Sequence, residues 1–396
     1  MRFLMCSFGN PGFLFPMLGL ALELRRRGHE VAFVTGIEAG GVLQRLGVRR
    51  IPRGDGDGES FHVARWPSPI HTAIDVKHIE YALERFGPDA LVTHSLCQAP
   101  IIVKERTGIA VGVMGFAAYL WPSAGGADGT VGPKLRRLQE WRAEDMLLQL
   151  NRARSLFRLK PRDLDLRDFP LLGDLFMVRS VPELEPTLPL LPEQVHVVGA
   201  CLWEPPAGES DPWSEIRSRL TAPDAPILYA HQGRAFGRPD FWPLLTCALA
   251  GESLQVIASV GRMDGGPGDL PGNFFARDHV PQELVLPRAA AVVCAGHTSV
   301  VLGTLTHGLP GVVVPHGGET PDNADRLVAQ GCAIRLDGAE LGPDTLRDAV
   351  FEAMRSDAMR DNARRIQKAF ERMSGFDTAA TLVEALGTTG ERVPRA

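Results

Sequence analysis

The chain begins with an apolar segment, a glycine turn, an apolar helix and a second apolar segment, and this order restricts the possible folds. Residues 2–8 (RFLMCSF) read as a buried strand, the turn GNPG follows, and a helix is predicted from Pro16 to Arg27. The strand EVAFVT comes next. Strands joined through a helix lie parallel, and parallel sheets are covered by helices on both faces. The sequence therefore predicts a doubly wound α/β domain.

The same alternation of strands and helices restarts in the second half of the chain. Between the halves, residues 195–212 (VHVVGACLWEPPAGESDP) shift toward proline, glycine and acid, which is typical of an interdomain connection. We therefore predict two Rossmann-like, doubly wound parallel-sheet domains facing a central cleft, over residues 1–205 and 206–372. Residues 373–396 are expected to pack back on the first domain, at the end of a helix over 359–387 that bends at Gly375.

Charge and composition exclude several kinds of partner. The 396 residues carry a formal net charge of −5 at pH 7, so no basic field attracts nucleic acid. The N-terminal apolar run is too short for a signal peptide or a membrane span. The six cysteines are scattered, without a cluster at metal-ligand spacing. We expect a cytoplasmic monomer or homodimer with no membrane span, no disulfide framework and no zinc site.

Two glycine-rich turns in the second half carry polar residues suited to a ligand. The strand AAVVC runs into Gly296, after which His297, Thr298 and Ser299 begin a helix. A helix start presents unpaired N–H groups and a positive dipole, so an anion such as a diphosphate fits there. The alternative is that Thr298 only caps the helix. The next strand, GVVVPHGGE, ends at Glu319, which either accepts hydrogen bonds from sugar hydroxyls or remains a solvated loop acid.

A long segment around these turns resembles a known family. Residues 279–327, HVPQELVLPRAAAVVCAGHTSVVLGTLTHGLPGVVVPHGGETPDNADRL, are similar to the donor-binding region of GT-B nucleotide-sugar glycosyltransferases, in particular the bacterial natural-product enzymes of family 1. GNPGFLFPMLGLALELRRRGHEVAFVT near the start and VGACLWEPP at the linker resemble the same family. The resemblance spans nearly the whole chain and implies a GT-B fold.

The resemblance also implies a donor site, residue by residue. The base and ribose are assigned to HVPQ, the diphosphate to the first glycine turn and to the loop after the strand PILYAH, and the sugar hydroxyls to the second turn. The donor-binding residues predicted in this way are Gly233, Arg234, His279, Val280, Gln282, Gly296, His297, Thr298, Ser299, Glu319 and Thr320.

Two donor-site positions depart from the family. Cys294 stands where the family commonly has a phosphate-binding histidine, and Arg234 replaces the hydroxyl residue after Gly233. Arg234 either supplies a bidentate phosphate contact or is an ordinary surface arginine.

The third departure concerns the base that deprotonates the acceptor. Phe13, directly after Gly12, stands where the family usually has a catalytic histidine, and a benzyl group cannot take a proton. His94, at the end of the strand PDALVTH, is our first candidate for the general base. The alternative is that His94 only hydrogen-bonds to backbone. The lesser candidates are His62, His71 and Asp75.

A readily ionised acceptor would make a strong base unnecessary. A phenol, enol, thiol or amide-like nucleophile would then rest on an apolar floor, for which ordinary core packing is the alternative explanation. The acceptor-binding residues predicted are Gly12, Phe13, Phe15 and Trp121.

Taken together, the resemblance implies an inverting transfer of a sugar from a UDP- or dTDP-sugar to a small hydrophobic or aromatic acceptor of secondary metabolism, with no cofactor and no obligatory metal. Two alternatives remain. Phe13 and Cys294 make a non-catalytic nucleotide-sugar-binding partner of another glycosyltransferase credible. A GT-B nucleotide-sugar epimerase is disfavoured, because the Gly-x-x-x-Pro start and VPQ match the transferases better.

Overall fold

The chain folds into two compact units. Unit 1 comprises Met1–Trp203 and Met373–Ala396, and unit 2 comprises Glu204–Arg372. The structure is a computed structural model, and it describes residues 1–54, 56–123, 131–206, 213–221, 225–233, 238–261 and 269–395.

Unit 1 is built on a seven-stranded sheet in which all pairings are parallel. The strand order is β3-β2-β1-β4-β5-β6-β7, so the order reverses between β1 and β4. Such a switch point leaves a crevice at the carboxyl ends of the strands. The strands are β1 (Arg2–Ser7), β2 (Glu30–Thr35), β3 (Arg49–Arg50), β4 (Ala90–His94), β5 (Ala110–Met114), β6 (Leu175–Val178) and β7 (Val195–Val197).

Helices cover both faces of this sheet, and the central strands are therefore buried along nearly their whole length. Apolar side chains from the strands and helices form one core on each face of the sheet. The helices of unit 1 are α1 (Pro11–Arg26), α2 (Gly40–Arg45), α3 (Pro69–Phe86), α4 (Ala99–Thr107) and α5 (Pro133–Ser155), together with a last helix from the C-terminal segment, Phe376–Thr389.

The last helix completes unit 1 by packing on α1. The ring of Phe376 lies against Gly19, so that a Cβ added to Gly19 would be 2.2 Å from the ring. The Arg27 guanidinium, just after α1, donates to Glu384 at 2.7 Å, and the His29 ring contacts the same carboxylate at 2.7 Å. Apolar packing and this charged edge together hold the C-terminal segment on unit 1.

Unit 2 repeats the architecture with a six-stranded parallel sheet in the order β10-β9-β8-β11-β12-β13. Its strands are β8 (Ile227–His231), β9 (Gln255–Ser259), β10 (Phe274–Arg277), β11 (Ala289–Cys294), β12 (Gly311–Val313) and β13 (Ala333–Arg335). Its helices are α6 (Ser214–Thr221), α7 (Phe241–Leu249), α8 (Gln282–Val285), α9 (Thr298–Thr306), α10 (Thr320–Ala329), α11 (Pro343–Arg355) and α12 (Asp357–Glu371), and the last helix of unit 1 is α13.

These two units confirm the predicted fold class of two doubly wound parallel sheets. Two details of the prediction are wrong. Helix α1 begins at Pro11 rather than Pro16, because Pro11 suits the first helical turn, and the helix continues through Pro16. The segment 359–387 forms two helices rather than one bent helix, because Gly375 adopts φ +54°, which no helix continues through.

Within the described residues, no helix is long and apolar enough to cross a membrane.

The close approach of Phe376 to Gly19 predicts a steric cost. We expect Gly19→Ala to lower the unfolding free energy by roughly 1–2 kcal/mol, because the overpacking penalty exceeds the gain in helix propensity. Gly41→Ala in α2 is the matched control, since its Cβ would meet only Arg45 Nη1 at 3.8 Å. Urea unfolding followed by tryptophan fluorescence measures both, and equal stability of the two variants would contradict the packing described.

Candidate functional site

In unit 1, aromatic rings collect where β1 and β4 end. Phe13 stacks on the His94 ring with centroids 4.4 Å apart and an angle of 20° between the planes. Phe8 meets His94 edge-on at 4.8 Å, and Phe116 meets Phe13 at 6.2 Å. Phe13 is half-buried and therefore presents part of its ring to a ligand. This group forms an apolar surface at the switch point of the sheet.

His94 is poorly suited to accept a proton. Its ring is buried, and Nε2 accepts the backbone N–H of Phe8 at 3.2 Å. Burial, assisted by the positive charge of Arg179, lowers the pKa of His94 to about 3. A conjugate acid of that strength belongs to a weak base at neutral pH. The general-base role of His94 stays a prediction, but this environment disfavours it and supports the alternative of a histidine bonded to backbone.

The other predicted acceptor residues divide into two kinds. Gly12 is exposed, and Phe15 is half-buried with its ring 5.7 Å from that of Trp203. Trp121 instead lies in the core, 3% exposed, with its ring 4.8 Å from Phe169. An indole so deeply packed offers almost no surface to an acceptor. The placement of Trp121 therefore corresponds to core packing, the alternative left open by the sequence.

Among the lesser candidates for the base, Asp75 has the most unusual environment. One carboxylate oxygen accepts the backbone N–H of Phe61 at 2.6 Å, and burial raises the pKa of Asp75 to about 7. The side chain lies in the second turn of α3. His62 is exposed and His71 is half-buried. Asp75 is thus the carboxyl group of this region that changes protonation near neutral pH.

In unit 2, the turn between β11 and α9 is shaped by Gly296. This residue has φ +92°, and a Cβ there would lie 2.9 Å from Val313 Cγ1 and 3.2 Å from the Thr320 carbonyl oxygen. Asn323 fixes the turn by donating from Nδ2 to the Gly296 carbonyl at 2.8 Å. The first turn of α9 follows directly, with Thr298 buried and Ser299 half-buried.

Glu319 crosses from the start of α10 to the start of α9. Its Oε1 accepts the Thr298 N–H at 3.3 Å and lies 3.3 Å from Nδ1 of His297. Burial alone raises the pKa of Glu319, but the hydrogen bonds and charge of His297 and the Thr298 amide more than offset it and hold the pKa below its usual range. Glu319 is therefore a buried carboxylate in the middle of the predicted donor site.

Thr320 does not have a free hydroxyl for a sugar. The side chain is fully buried, its Oγ1 accepts the N–H groups of His316 and Gly317 at 3.0 and 3.2 Å, and it donates to the Gly317 carbonyl at 2.8 Å. The structure does not support direct sugar binding by this side chain. Thr320 holds the turn that precedes Glu319, because its hydroxyl bonding is used within that turn.

The loop after β8 meets the first turn of α9. Gly233 has φ +86°, and a Cβ there would lie 2.1 Å from Cδ2 of His297, so the imidazole rests directly on the glycine backbone. The Arg234 prediction lies outside the described residues. The structure thus brings Gly233, Gly296, His297 and Glu319 into one cluster, as a shared site requires.

The residues assigned to the nucleotide base lie at the next loop. The Val280 N–H donates to Ser259 Oγ at 3.1 Å and the Val280 carbonyl accepts from Tyr229 Oη at 3.2 Å, so its backbone is already engaged within unit 2. The Gln282 side chain packs on α9 against Gly303. His279 is half-buried and meets Trp213 edge-on, with centroids 6.4 Å apart.

Sequence reasoning missed two residues of this region. Trp213 supplies an aromatic ring beside His279, and no local pattern links it to a segment 66 positions later. Asn323 lies one helical turn after Glu319, and that spacing is the signal that places both side chains near Gly296.

In the parts of the chain that the structure describes, no group of three or more His, Cys, Asp or Glu side chains is arranged to hold a metal ion.

Comparison with known proteins shows that the chain is similar to enzymes of antibiotic biosynthesis. Residues 253–376 match the family "Erythromycin biosynthesis protein CIII-like, C-terminal domain". The chain is 26% identical to 4'-demethylrebeccamycin synthase of Lentzea aerocolonigenes, over 97% of this chain and 99% of that protein. It is also 26% identical to O-mycaminosyltylonolide 6-deoxyallosyltransferase of Streptomyces fradiae, over 98% of each.

The fold comparison gives the same result. The crystal structure of glycosyltransferase VinC in complex with dTDP matches with a TM-score of 0.69 at 19% identity, over 99% of this chain and 100% of VinC. The two parallel-sheet α/β domains, in this order along the chain, match the GT-B fold. The chain is a glycosyltransferase that is similar to natural-product enzymes, and this similarity supports sugar transfer in secondary metabolism.

The low pKa of His94 predicts an acid-sensitive fold. The pKa of His94 is near 6.5 in the unfolded chain and about 3 in the folded chain. Between these two pH values the imidazole is protonated in the unfolded state and neutral in the folded state. The stabilising contribution is therefore complete above about pH 6.5 and is lost as the pH falls toward 3. As the pH falls, the unfolding free energy of His94→Gln should decrease less steeply than that of the wild type, by up to about 1.4 kcal/mol per pH unit. Urea unfolding at several pH values tests this, and identical slopes would contradict it.

The bonded hydroxyl of Thr320 predicts a sharp difference between two substitutions. Thr320→Val leaves two backbone N–H groups without their acceptor, so we expect a loss of about 1–3 kcal/mol in stability and a marked fall in transfer rate. Thr320→Ser keeps the hydroxyl and should retain most of both. Thermal unfolding and transfer assays of the pair decide the point; a fully active, stable valine variant would exclude the turn-holding role.

Proposed function

We propose that this protein is an inverting glycosyltransferase that moves a sugar from a UDP- or dTDP-sugar to a small hydrophobic or aromatic natural-product acceptor. The observation that carries the proposal is the start of α9 beside Gly296, where helix-start amides follow a glycine with φ +92°, an arrangement suited to a diphosphate. The presence of dTDP in the VinC structure, with its similar fold, supports a nucleotide donor.

The donor would lie along unit 2. The diphosphate would be bound at the first turn of α9 and the Gly233 loop, and the nucleoside toward His279 and Trp213. The sugar would lie near Glu319, whose buried carboxylate can accept hydrogen bonds from hydroxyl groups. Amide dipoles aimed at the diphosphate stabilise the negative charge that grows on it as the glycosidic bond breaks.

The acceptor would rest on unit 1, against the half-buried ring of Phe13. In the transfer step the acceptor nucleophile attacks the anomeric carbon from the side opposite the diphosphate. The bond from that carbon to the diphosphate oxygen breaks, nucleoside diphosphate leaves, and an α-linked donor gives a β-linked product. The proton of the nucleophile passes to a base or to water. Because His94 is a weak base here, we propose an acceptor that ionises easily, such as a phenol or enol.

A panel of nucleotide sugars with phenolic and aliphatic acceptors tests the function. We expect transfer from a UDP- or dTDP-sugar, with phenols ahead of simple alcohols because phenol ionises near pH 10. Mass spectrometry identifies the product, and NMR coupling at the anomeric carbon reports its configuration. Binding without turnover would support a non-catalytic partner instead, and interconversion of the free donor would support an epimerase.

We further propose that transfer needs no metal ion and no other cofactor, because helix-end amides supply the charge stabilisation. Chelation with excess EDTA should leave the rate within about twofold of the untreated enzyme, since a twofold change corresponds to only ~0.4 kcal/mol in the barrier. A large loss restored by Mg²⁺ or Mn²⁺ would overturn this part of the proposal. Retention of the anomeric configuration would overturn the inverting mechanism without affecting the donor assignment.

A further inference from the structure

The imidazole of His297 is held at one nitrogen and unbonded at the other. Nδ1 lies 3.3 Å from Glu319 Oε1. Nε2 is shielded from solvent and has no hydrogen-bond partner among the described residues. A buried polar atom without a partner is uncommon, because its desolvation is not compensated. The Nε2 atom is therefore placed to bond to a ligand rather than to the protein.

The unbonded edge of the ring faces the loop after β8. A Cβ on Gly233 would lie 2.5 Å from Nε2, so the ring edge and the glycine backbone are in direct contact. His297 also immediately precedes the first turn of α9, whose amides point away from the helix. One corner of unit 2 thus combines a ring nitrogen, a glycine loop and a helix start.

The neighbouring carboxylate sets the charge that this corner favours. Glu319 is buried beside the ring and also accepts the Thr298 N–H. A diphosphate placed next to that carboxylate would be repelled, unless a cation lies between the two anions. The imidazole is the group in that position: Nδ1–H would donate to Glu319 and Nε2–H to a phosphate oxygen, which requires the doubly protonated ring.

We infer that His297 binds the diphosphate of the donor through Nε2, and that Glu319 acts as a positioning residue through His297 rather than only as a sugar ligand. This inference rests on the proposed function, since it assumes a nucleoside diphosphate at the start of α9. Glu319 fixes the ring orientation through the contact with Nδ1 and so links the sugar end of the site to its phosphate end.

Nucleoside diphosphates without a sugar separate this role from direct sugar binding. We expect His297→Ala to weaken UDP or dTDP binding by about 10–100-fold, as loss of a charged hydrogen bond does. Binding of the matching nucleoside monophosphate should change much less, if His297 contacts the terminal phosphate of the pair. His297→Gln, which keeps a donor near the Nε2 position, should recover part of the lost affinity. Calorimetry on each folded variant, checked by circular dichroism, gives these values.

A double-mutant cycle tests whether Glu319 acts through the ring. Glu319→Gln should weaken diphosphate binding by roughly tenfold in the wild-type background and by less than about twofold in the His297→Ala background. Additive effects would overturn the positioning role. An unchanged diphosphate affinity in Glu319→Gln would also overturn it and would leave Glu319 as a sugar ligand alone.

Failure of this inference differs from failure of the proposed function. If the wild type binds neither UDP nor dTDP, the donor assignment itself is wrong. If it binds them and His297→Ala binds them equally well, only the role of His297 is excluded.

Discussion

The parallel register of three central strands in unit 2 is the constraint on which the donor site depends. Cys294 at the end of β11 pairs with His231 of β8 on one side and with Val313 of β12 on the other. The three strands therefore end at the same level, and the loops that leave them meet. Because the strands end together, Gly233 contacts the His297 ring, and Gly296 contacts Val313 and Thr320. These contacts join residues that are far apart in the sequence.

The sequence predicted the features that depend on backbone geometry, such as strands and helix starts. It predicted less well the side-chain environments that depend on burial. Strand periodicity and the glycine after AAVVC predicted both sheets and the helix start at residue 298. No sequence pattern shows that the Thr320 hydroxyl turns inward, because that depends on N–H groups four and three residues earlier meeting it in space. The low pKa of His94 and the burial of Trp121 likewise arise from neighbours that tertiary packing supplies.

The acceptor side of the protein shows how one substitution changes the chemistry required of its neighbours. With a phenyl ring at position 13 stacked on His94, that histidine is covered and neutral, and its Nε2 is committed to the Phe8 amide. The stacked rings form an ordered apolar surface for an acceptor, and the same packing makes His94 a weaker base. Burial has the opposite effect on the carboxyl group of Asp75 in the same unit. It raises the pKa of Asp75 to about 7, whereas it lowers the pKa of His94.

Unit 1 is discontinuous along the chain, since α13 returns to it after unit 2 has been completed. During synthesis α13 is translated after unit 2, so the surface of α1 around Gly19 stays uncovered while the intervening 169 residues of unit 2 emerge. Domains generally fold as they are translated, and exposed apolar surface invites association. Until α13 has been translated, this apolar surface of α1 therefore remains open to association.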